Sequence, residues 1–189
     1  MRTPEHPVDK IFLNRWSPRA LTSDITDAEL MTLFEAAKWA PSSYNNQPWR
    51  FLYAKHGTAL WETFLGLLGE FNQSWCKNAA ALIVVCSKKN FEHNNKPSRT
   101  HNFDAGAAWM SLALQAELNG FIAHGMEGFD YDKAKVALKI PEDVDVECMV
   151  AVGKLGKKED LPPMLQEKEV MSDRKKVAEI AKEGSWGFS

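Results

Sequence analysis

The sequence predicts a mixed domain, α+β or α/β, with helices packed on a sheet of about four or five strands. Three observations carry this. A capped amphipathic segment begins at Thr26. The longest uninterrupted apolar run, Ala79 to Cys86, has the length of a buried strand. A segment rich in Ala and Leu runs from His101 to Asn119. The 189 residues, 44% hydrophobic and 25% charged, suffice for one domain with its own core. No repeat and no linker divides them, so residues 1–189 read as a single domain.

The elements follow in order. The first ten residues read as a polar arm. Ile11 to Arg19 mixes apolar residues with two arginines and closes at Pro18 and Thr22-Ser23-Asp24. Thr26 and Glu29 have capping-box spacing, with Leu30, Leu33, Phe34 and Ala37 on one helical face and Pro41 as the stop. Pro41 to Pro48 is a loop by composition, and Trp49 to Ala54 a strand. Thr58 opens a second helix carrying Leu60, Phe64, Leu67, Leu68 and Phe71 on one face. Ala80 to Cys86 is a buried strand, and Ser87 to Thr100 a polar loop. His101 to Asn119 is a central buried helix with Gly120 as its C′ residue. Phe121 to His124 is short and extended, Gly125 to Gly128 a turn, and Asp130 caps a helix ending before Pro141. Val146 to Gly153 is a further strand, followed by a charged tail from Lys154.

Composition excludes several classes. Lys plus Arg (23) against Asp plus Glu (25) gives a net charge of −2, without the basic excess of a nucleic-acid binder. Cys76, Cys86 and Cys148 are odd in number and far apart, so no disulfide framework is expected. Unpaired thiols suit a cytoplasmic location. Met1 to Phe12 lacks the apolar core of a secretory signal, and Ala79 to Cys86 is far too short for a membrane span. G-x-G-x-x-G, the P-loop, G-x-S-x-G and H-E-x-x-H are all missing. His6, His56, His93, His101 and His124 lie on different segments without ligand spacing, so no metal site is expected. Cys148 reads as a buried, inert thiol.

Two constellations remain. Arg15-Trp16-Ser17-Pro18-Arg19 sets two guanidinium groups four residues apart around a hydroxyl, a pattern that matches phosphate oxygens. The same pattern also describes a solvent-facing arm with ordinary ion pairs. Ala40-Pro41-Ser42-Ser43-Tyr44-Asn45-Asn46-Gln47-Pro48-Trp49 concentrates uncharged donors and acceptors on a stiff loop, suited to a planar polar ligand. It equally describes a well-capped connection with Trp49 in the core.

Taken together, these segments resemble the nitroreductase-like family of FMN-dependent oxidoreductases. R-x-S-x-R near the start is followed by A-P-S-S-x-N-x-Q-P-W at the end of a capped helix. Gly125-Met126-Glu127-Gly128-Phe129-Asp130 resembles the family's E-G turn, and Ser172-Asp173-Arg174-Lys175 its basic segment near the C-terminus. The likeness covers nearly the whole chain, with four motifs in order. It implies an α+β fold with a central, mainly antiparallel sheet of four or five strands flanked by helices. It also implies a homodimer with one FMN in each of two interface clefts.

By this resemblance Arg15 and Ser17 hold the FMN phosphate and ribityl end, and Arg19 reaches the pyrimidine side, where a cation stabilises the reduced flavin. Trp16 stands where the family often has Arg or His, so a backbone contact survives and a side-chain contact does not. Ser42, Ser43 and Asn45 match the loop that approaches the flavin from the partner subunit. Pro41 shapes that loop, and Gln47 and Trp49 support it. Met126, Glu127 and Gly128 match the turn whose N–H groups face flavin N5 and O4, although the family more often has proline at Met126. Arg174 and Lys175 match the cations that close on the phosphate. Asn72 or Gln73 is a candidate for the pyrimidine edge.

The activity implied is electron transfer from NADH or NADPH, through FMN, to a nitroaromatic, quinone or similar flat acceptor by a ping-pong mechanism. No side chain is assigned as catalytic. Phe91 to His101 is a candidate rim of the acceptor slot, with Arg99 or His101 as possible contacts. The seven tryptophans are expected mostly in the core or dimer interface. The alternatives are a flavin-binding module without efficient turnover, and a reductive dehalogenase or ene-reductase variant of the same family.

Overall fold

The computed structural model describes residues 2–188. In chain order the elements are α1 (Lys10–Asn14), β1 (Leu21–Thr22), α2 (Asp27–Lys38), β2 (Trp49–Lys55), α3 (Trp61–Leu65), α4 (Glu70–Cys76) and β3 (Ala81–Lys88). They continue with α5 (His101–Leu118), β4 (Ile122–Met126), α6 (Tyr131–Ala137), β5 (Val144–Leu155), α7 (Pro163–Gln166) and α8 (Val177–Ile180). The five strands form one antiparallel sheet in which β5 pairs with β1, β3 and β4, and β3 also pairs with β2. This is the expected α+β architecture.

Side-chain alternation along β3 explains its unbroken apolar run. Leu82, Val84 and Cys86 enter a layer with Phe64, Trp75 and Met149, to which α3, α4 and α6 contribute. Ala81, Ile83 and Val85 enter the opposite layer with Leu30, Leu33 and Leu112 of α2 and α5. Helices cover both faces, so neither can be polar. The capping box forms as expected: Thr26 Oγ1 accepts the N–H of Glu29 at 3.2 Å, and Glu29 Oε2 accepts that of Thr26 at 2.8 Å. Gly120, at φ 74°, follows α5 where a side chain would be strained.

β5 is longer than expected and carries a bulge. Val85 pairs with Cys148 while Cys86 pairs with Val146, leaving Glu147 as the extra residue. The bulge shifts the alternation: Val144 and Val146 share a layer with Met149, while Cys148 joins the α5 side. Glu147 reaches Ser87 Oγ, which also lies 2.7 Å from His101 Nδ1. His101 Nε2 stands 4.0 Å from Asp145 Oδ2. A fully buried polar group at the end of β3 thus finds its partners across the sheet and on the first turn of α5.

Two expectations are corrected. The helix expected from Thr58 is two short ones, α3 and α4, broken at Gly66 to Gly69. There the N–H of Gly69 turns away to the carbonyl of Gly128 at 3.1 Å, and Lys133 Nζ donates to Gly66 O at 2.7 Å. Leu60 and Phe71 are left exposed. Second, Gly125 and Met126 belong to β4, because their partners Val150 and Met149 on β5 extend the ladder, so only Glu127 and Gly128 remain as the turn. Of the tryptophans, Trp49, Trp61 and Trp75 are in the core, and Trp39 and Trp186 are exposed on the protomer.

Candidate functional site

The segment before β1 is fixed from three sides. Glu169 Oε1 accepts the backbone N–H groups of Arg19 and Ala20 at 2.6 and 2.8 Å. The N–H of Gly156 donates to Ala20 O at 2.8 Å. His124 Nδ1 lies 3.0 Å from the carbonyl oxygen of Pro18, so this ring nitrogen carries the proton. Burial pushes the His124 pKa below its ordinary 6.5, and the indole of Trp75 packs on the ring at 4.7 Å. Gly153 allows the close approach of β1: a Cβ there would lie 2.5 Å from the carbonyl oxygen of Thr22.

A cavity of about 310 Å³ opens against this segment. Arg2, Arg19, Lys168 and Arg174 bring four cations to its wall, and Ser17 and Ser172 add hydroxyls. Trp16 and His124 complete one side. Arg2 Nε donates to Ser172 O at 2.8 Å and its Nη1 to the carbonyls of Leu13 and Arg15 at 3.1 and 2.9 Å. Arg2 therefore ties the N-terminal arm to the tail. Arg15 Nη1 stands 3.5 Å from Ser17 Oγ.

The charges are not balanced locally. Burial, then the charge of Arg174, lowers the pKa of both Arg2 and Arg15, and Arg2 lowers Arg15 further. Glu169 is the carboxylate nearest Arg19, with Oε2 3.9 Å from Nη1. Among the described residues, two buried donors, Arg2 Nη2 and Arg19 Nε, have no hydrogen-bond partner, and neither has the buried acceptor Glu169 Oε2 beside Arg19. Buried donors are almost always satisfied. Converging guanidinium groups with unspent N–H vectors fit an anion that carries several oxygens, as a phosphate does.

The other expected residues lie elsewhere on this protomer. Lys175 lines an adjoining groove with Arg2 and Arg174. Pro41 is exposed and precedes a short 3-10 turn at Ser43–Asn45. Ser42 Oγ accepts the N–H of Gln47 at 3.0 Å, and the N–H of Ser43 donates to buried Asp104 of α5 at 3.1 Å. Asn45 and Gln47 line a separate pocket with Arg50. The side chain of Met126 is buried, its sulfur 3.4 Å from Cys76 Sγ, so only its backbone is available. Glu127 and Gly128 are exposed, with Gly128 O accepting from Asn72 Nδ2 at 3.0 Å. Gln73 Nε2 donates to Leu68 O at 2.6 Å. Arg99 is exposed, while His101 is held inward by Ser87. Among the described residues no cluster of three metal-ligating side chains exists. Burial raises the Cys148 thiol pKa to about 12, in keeping with an inert thiol.

A model described as Nitroreductase family matches residues 13–70 and 55–154. The chain belongs to this family. Individual proteins extend the likeness. An uncharacterized 15.4 kDa protein in the ask 5' region of Mycolicibacterium smegmatis is 32% identical over 73% of this chain and 97% of its own length. Protein DrgA of Synechocystis is 30% identical over 73% of this chain and 77% of its own. A crystal structure of an oxidoreductase containing FMN shares 47% identity, with a TM-score of 0.95 over 100% of this chain and 97% of that one.

Of the residues in the motifs, Trp16, Ser17, Arg19 and Arg174 line this cavity, and Arg15 stands beside it, next to Ser17. Arg2, His124, Lys168 and Glu169 were not singled out. A lone residue in a polar arm, strand or charged tail carries no local pattern. Only the docking of β1 and the return of the tail bring them together.

Proposed function

We propose that this chain is an FMN-dependent oxidoreductase that takes electrons from NADH or NADPH and passes them to a flat, electron-poor acceptor. The single observation that carries this reading is the cavity of Arg2, Arg19 and Arg174 with its two unspent buried donors. Support comes from the 47% identical oxidoreductase containing FMN.

Arg15 and Arg174, with Lys175 on the adjoining groove, bind the phosphate end, Ser17 adds a neutral donor, and Arg19 reaches the pyrimidine side of the ring. Trp16 contributes through its backbone. FMN bound there would supply the redox chemistry, a relay of electrons from nicotinamide to acceptor. The chain's own groups bind and orient. Glu169 fixes the backbone of Arg19, and the backbone N–H groups of Met126, Glu127 and Gly128 form the edge that faces the ring. Donor and acceptor use the same open face in turn, which makes the kinetics ping-pong.

The site is completed in a homodimer. Phe103, Met110 and Leu118 recur at helical spacing on α5 and stand 77%, 37% and 68% exposed, an apolar stripe without cover in one protomer. A partner seated on it brings Pro41, Ser42, Ser43 and Asn45 to the other protomer's cavity, with Gln47 and Trp49 as supports. The whole chain acts as one domain in this reading, in the cytoplasm. Among the described residues no helix is long and apolar enough to cross a membrane.

Purified protein is expected to carry one FMN per chain, bleached by NADH or NADPH in the absence of oxygen. A colourless protein that FMN does not reconstitute overturns the reading.

A further inference from the structure

The loop after Pro41 holds an unusual sequence of backbone conformations. Tyr44, Asn45 and Gln47 have φ of 52°, 52° and 47°, a region that residues with side chains seldom adopt. Cross-links hold it there. Gln47 Nε2 donates to Asn45 O at 3.0 Å, and Arg50 Nη1 to Gln47 O at 2.9 Å. Asn46 Oδ1 accepts the N–H of Glu92 at 2.9 Å, and Glu92 pairs with Arg50 and Lys88 at 2.9 and 2.8 Å. Two loops, 42–47 and 91–95, are thus locked to each other and to the ends of β2 and β3.

This scaffold displays a ring to solvent. Tyr44 is 83% exposed. Its ring meets Phe91 edge-on at 5.7 Å and 83°, and His93 lies 5.8 Å away. Phe91 and His93 are 5.4 Å apart, so each ring touches the other two. Tyr44 and His93 wall a pocket of about 320 Å³, also lined by the amides of Asn45, Asn46 and Gln47. That volume is at the lower end of small-molecule sites. A large aromatic exposed on the single protomer and held on a strained, cross-linked loop is a stacking surface prepared in advance.

We propose that Tyr44, supported by Phe91 and His93, selects the electron acceptor. Its aromatic face stacks on a planar, electron-poor ring, and the amides of Asn45 and Gln47 donate to that ring's carbonyl or nitro oxygens. Glu92 is shared by Arg50 and Lys88, so the preference for planar rings such as quinones and nitroaromatics comes from the stacking face and not from charge. This inference rests on the reading that the 42–47 loop lies beside the partner's redox site.

The test compares wild type, Tyr44→Ala and Tyr44→Phe as holoprotein with one donor, NADH. Menadione is the flat acceptor and ferricyanide the non-aromatic one. The donor half-reaction is shared, so the ratio of kcat/KM for the two acceptors reads only the acceptor step. Tyr44→Ala is expected to lower that ratio about three- to tenfold through KM, and Tyr44→Phe to keep it. An unchanged ratio in Tyr44→Ala, or an equal loss in Tyr44→Phe, overturns the proposal. Calorimetric binding of menadione to the oxidised protein without nicotinamide reads the same contact without turnover. Affinity is expected to fall about three- to tenfold in Tyr44→Ala. No binding to wild type, or equal binding to both, overturns the role of Tyr44. Absence of flavin reduction with this binding difference intact overturns the oxidoreductase reading instead.

Discussion

Glu169 meets Arg19 at two points: its Oε1 accepts the backbone N–H at 2.6 Å, while its Oε2 lies 3.9 Å from the guanidinium Nη1, beyond hydrogen-bond distance. The residues are 150 positions apart. The same carboxylate takes the N–H of Ala20, so the tail closes the segment that leads into β1. Charged acceptors on buried N–H groups are worth about 1.5–3 kcal/mol each. Glu169→Ala is expected to lower stability by about 2–3 kcal/mol, on the order of one such bond net of water entering the gap. Urea unfolding checks this, and an unchanged midpoint removes Glu169 from the account.

Arg15→Ala separates binding from folding. The Arg15 pKa is lowered by burial and by the charges of Arg174 and Arg2, so its cation is held in a repulsive setting. Removing it is expected to leave thermal stability without FMN unchanged or slightly raised. FMN affinity is expected to fall by about 1.5–3 kcal/mol, the loss of a charge-assisted bond. Flavin fluorescence titration measures the second quantity and a thermal melt the first. Loss of stability with unaltered affinity would make Arg15 a structural residue.

The pH response follows from His124. Burial holds its folded-state pKa below 6.5. As pH falls through 6.5, the unfolded chain takes up the proton and the folded chain does not. The contribution is therefore full above pH 6.5 and is lost as pH drops through the folded-state value. The groups whose charges bear on the ring are Arg19, which lowers its pKa further, and Glu169, which raises it. Urea midpoints at pH 7.5 and 5.5 are expected to differ more in wild type than in His124→Gln.

Gly153→Ala tests the docking of β1. The added methyl would sit 2.5 Å from the carbonyl of Thr22, a backbone atom that cannot rotate aside. A loss of about 1–3 kcal/mol is expected, the range for overpacking. FMN affinity is expected to weaken with it, because the Arg15 to Arg19 segment hangs from β1. Gly57→Ala, where no atom lies within 4 Å, is strained by its φ of 77° alone and is expected to spare FMN binding.

Much of the architecture was legible because local signals agree with it. Thr26 and Glu29 announced α2, the run to Cys86 announced β3, and Asp130 capped α6. What failed is what depends on partners. The apolar spacing from Leu60 to Phe71 reads as one helix, yet Gly66 and Gly69 end it because Gly128 and Lys133 offer better hydrogen bonds. Met126 looked like a turn residue until β5 supplied a strand for it to pair with. The bulge at Glu147 has no local mark, since the acidic residue reads as an outward position on any strand. In the cavity, arginines in a motif were visible, whereas Arg2 and Glu169 acquire meaning only when both chain ends fold back onto β1.

The most direct test compares FMN with riboflavin, which lacks the phosphate, by fluorescence titration of the apoprotein. If the guanidinium cavity holds the phosphate, wild type binds FMN roughly a hundredfold more tightly than riboflavin, and Arg15→Ala with Arg174→Ala closes most of that gap. Equal affinities for the two flavins in wild type would contradict the account.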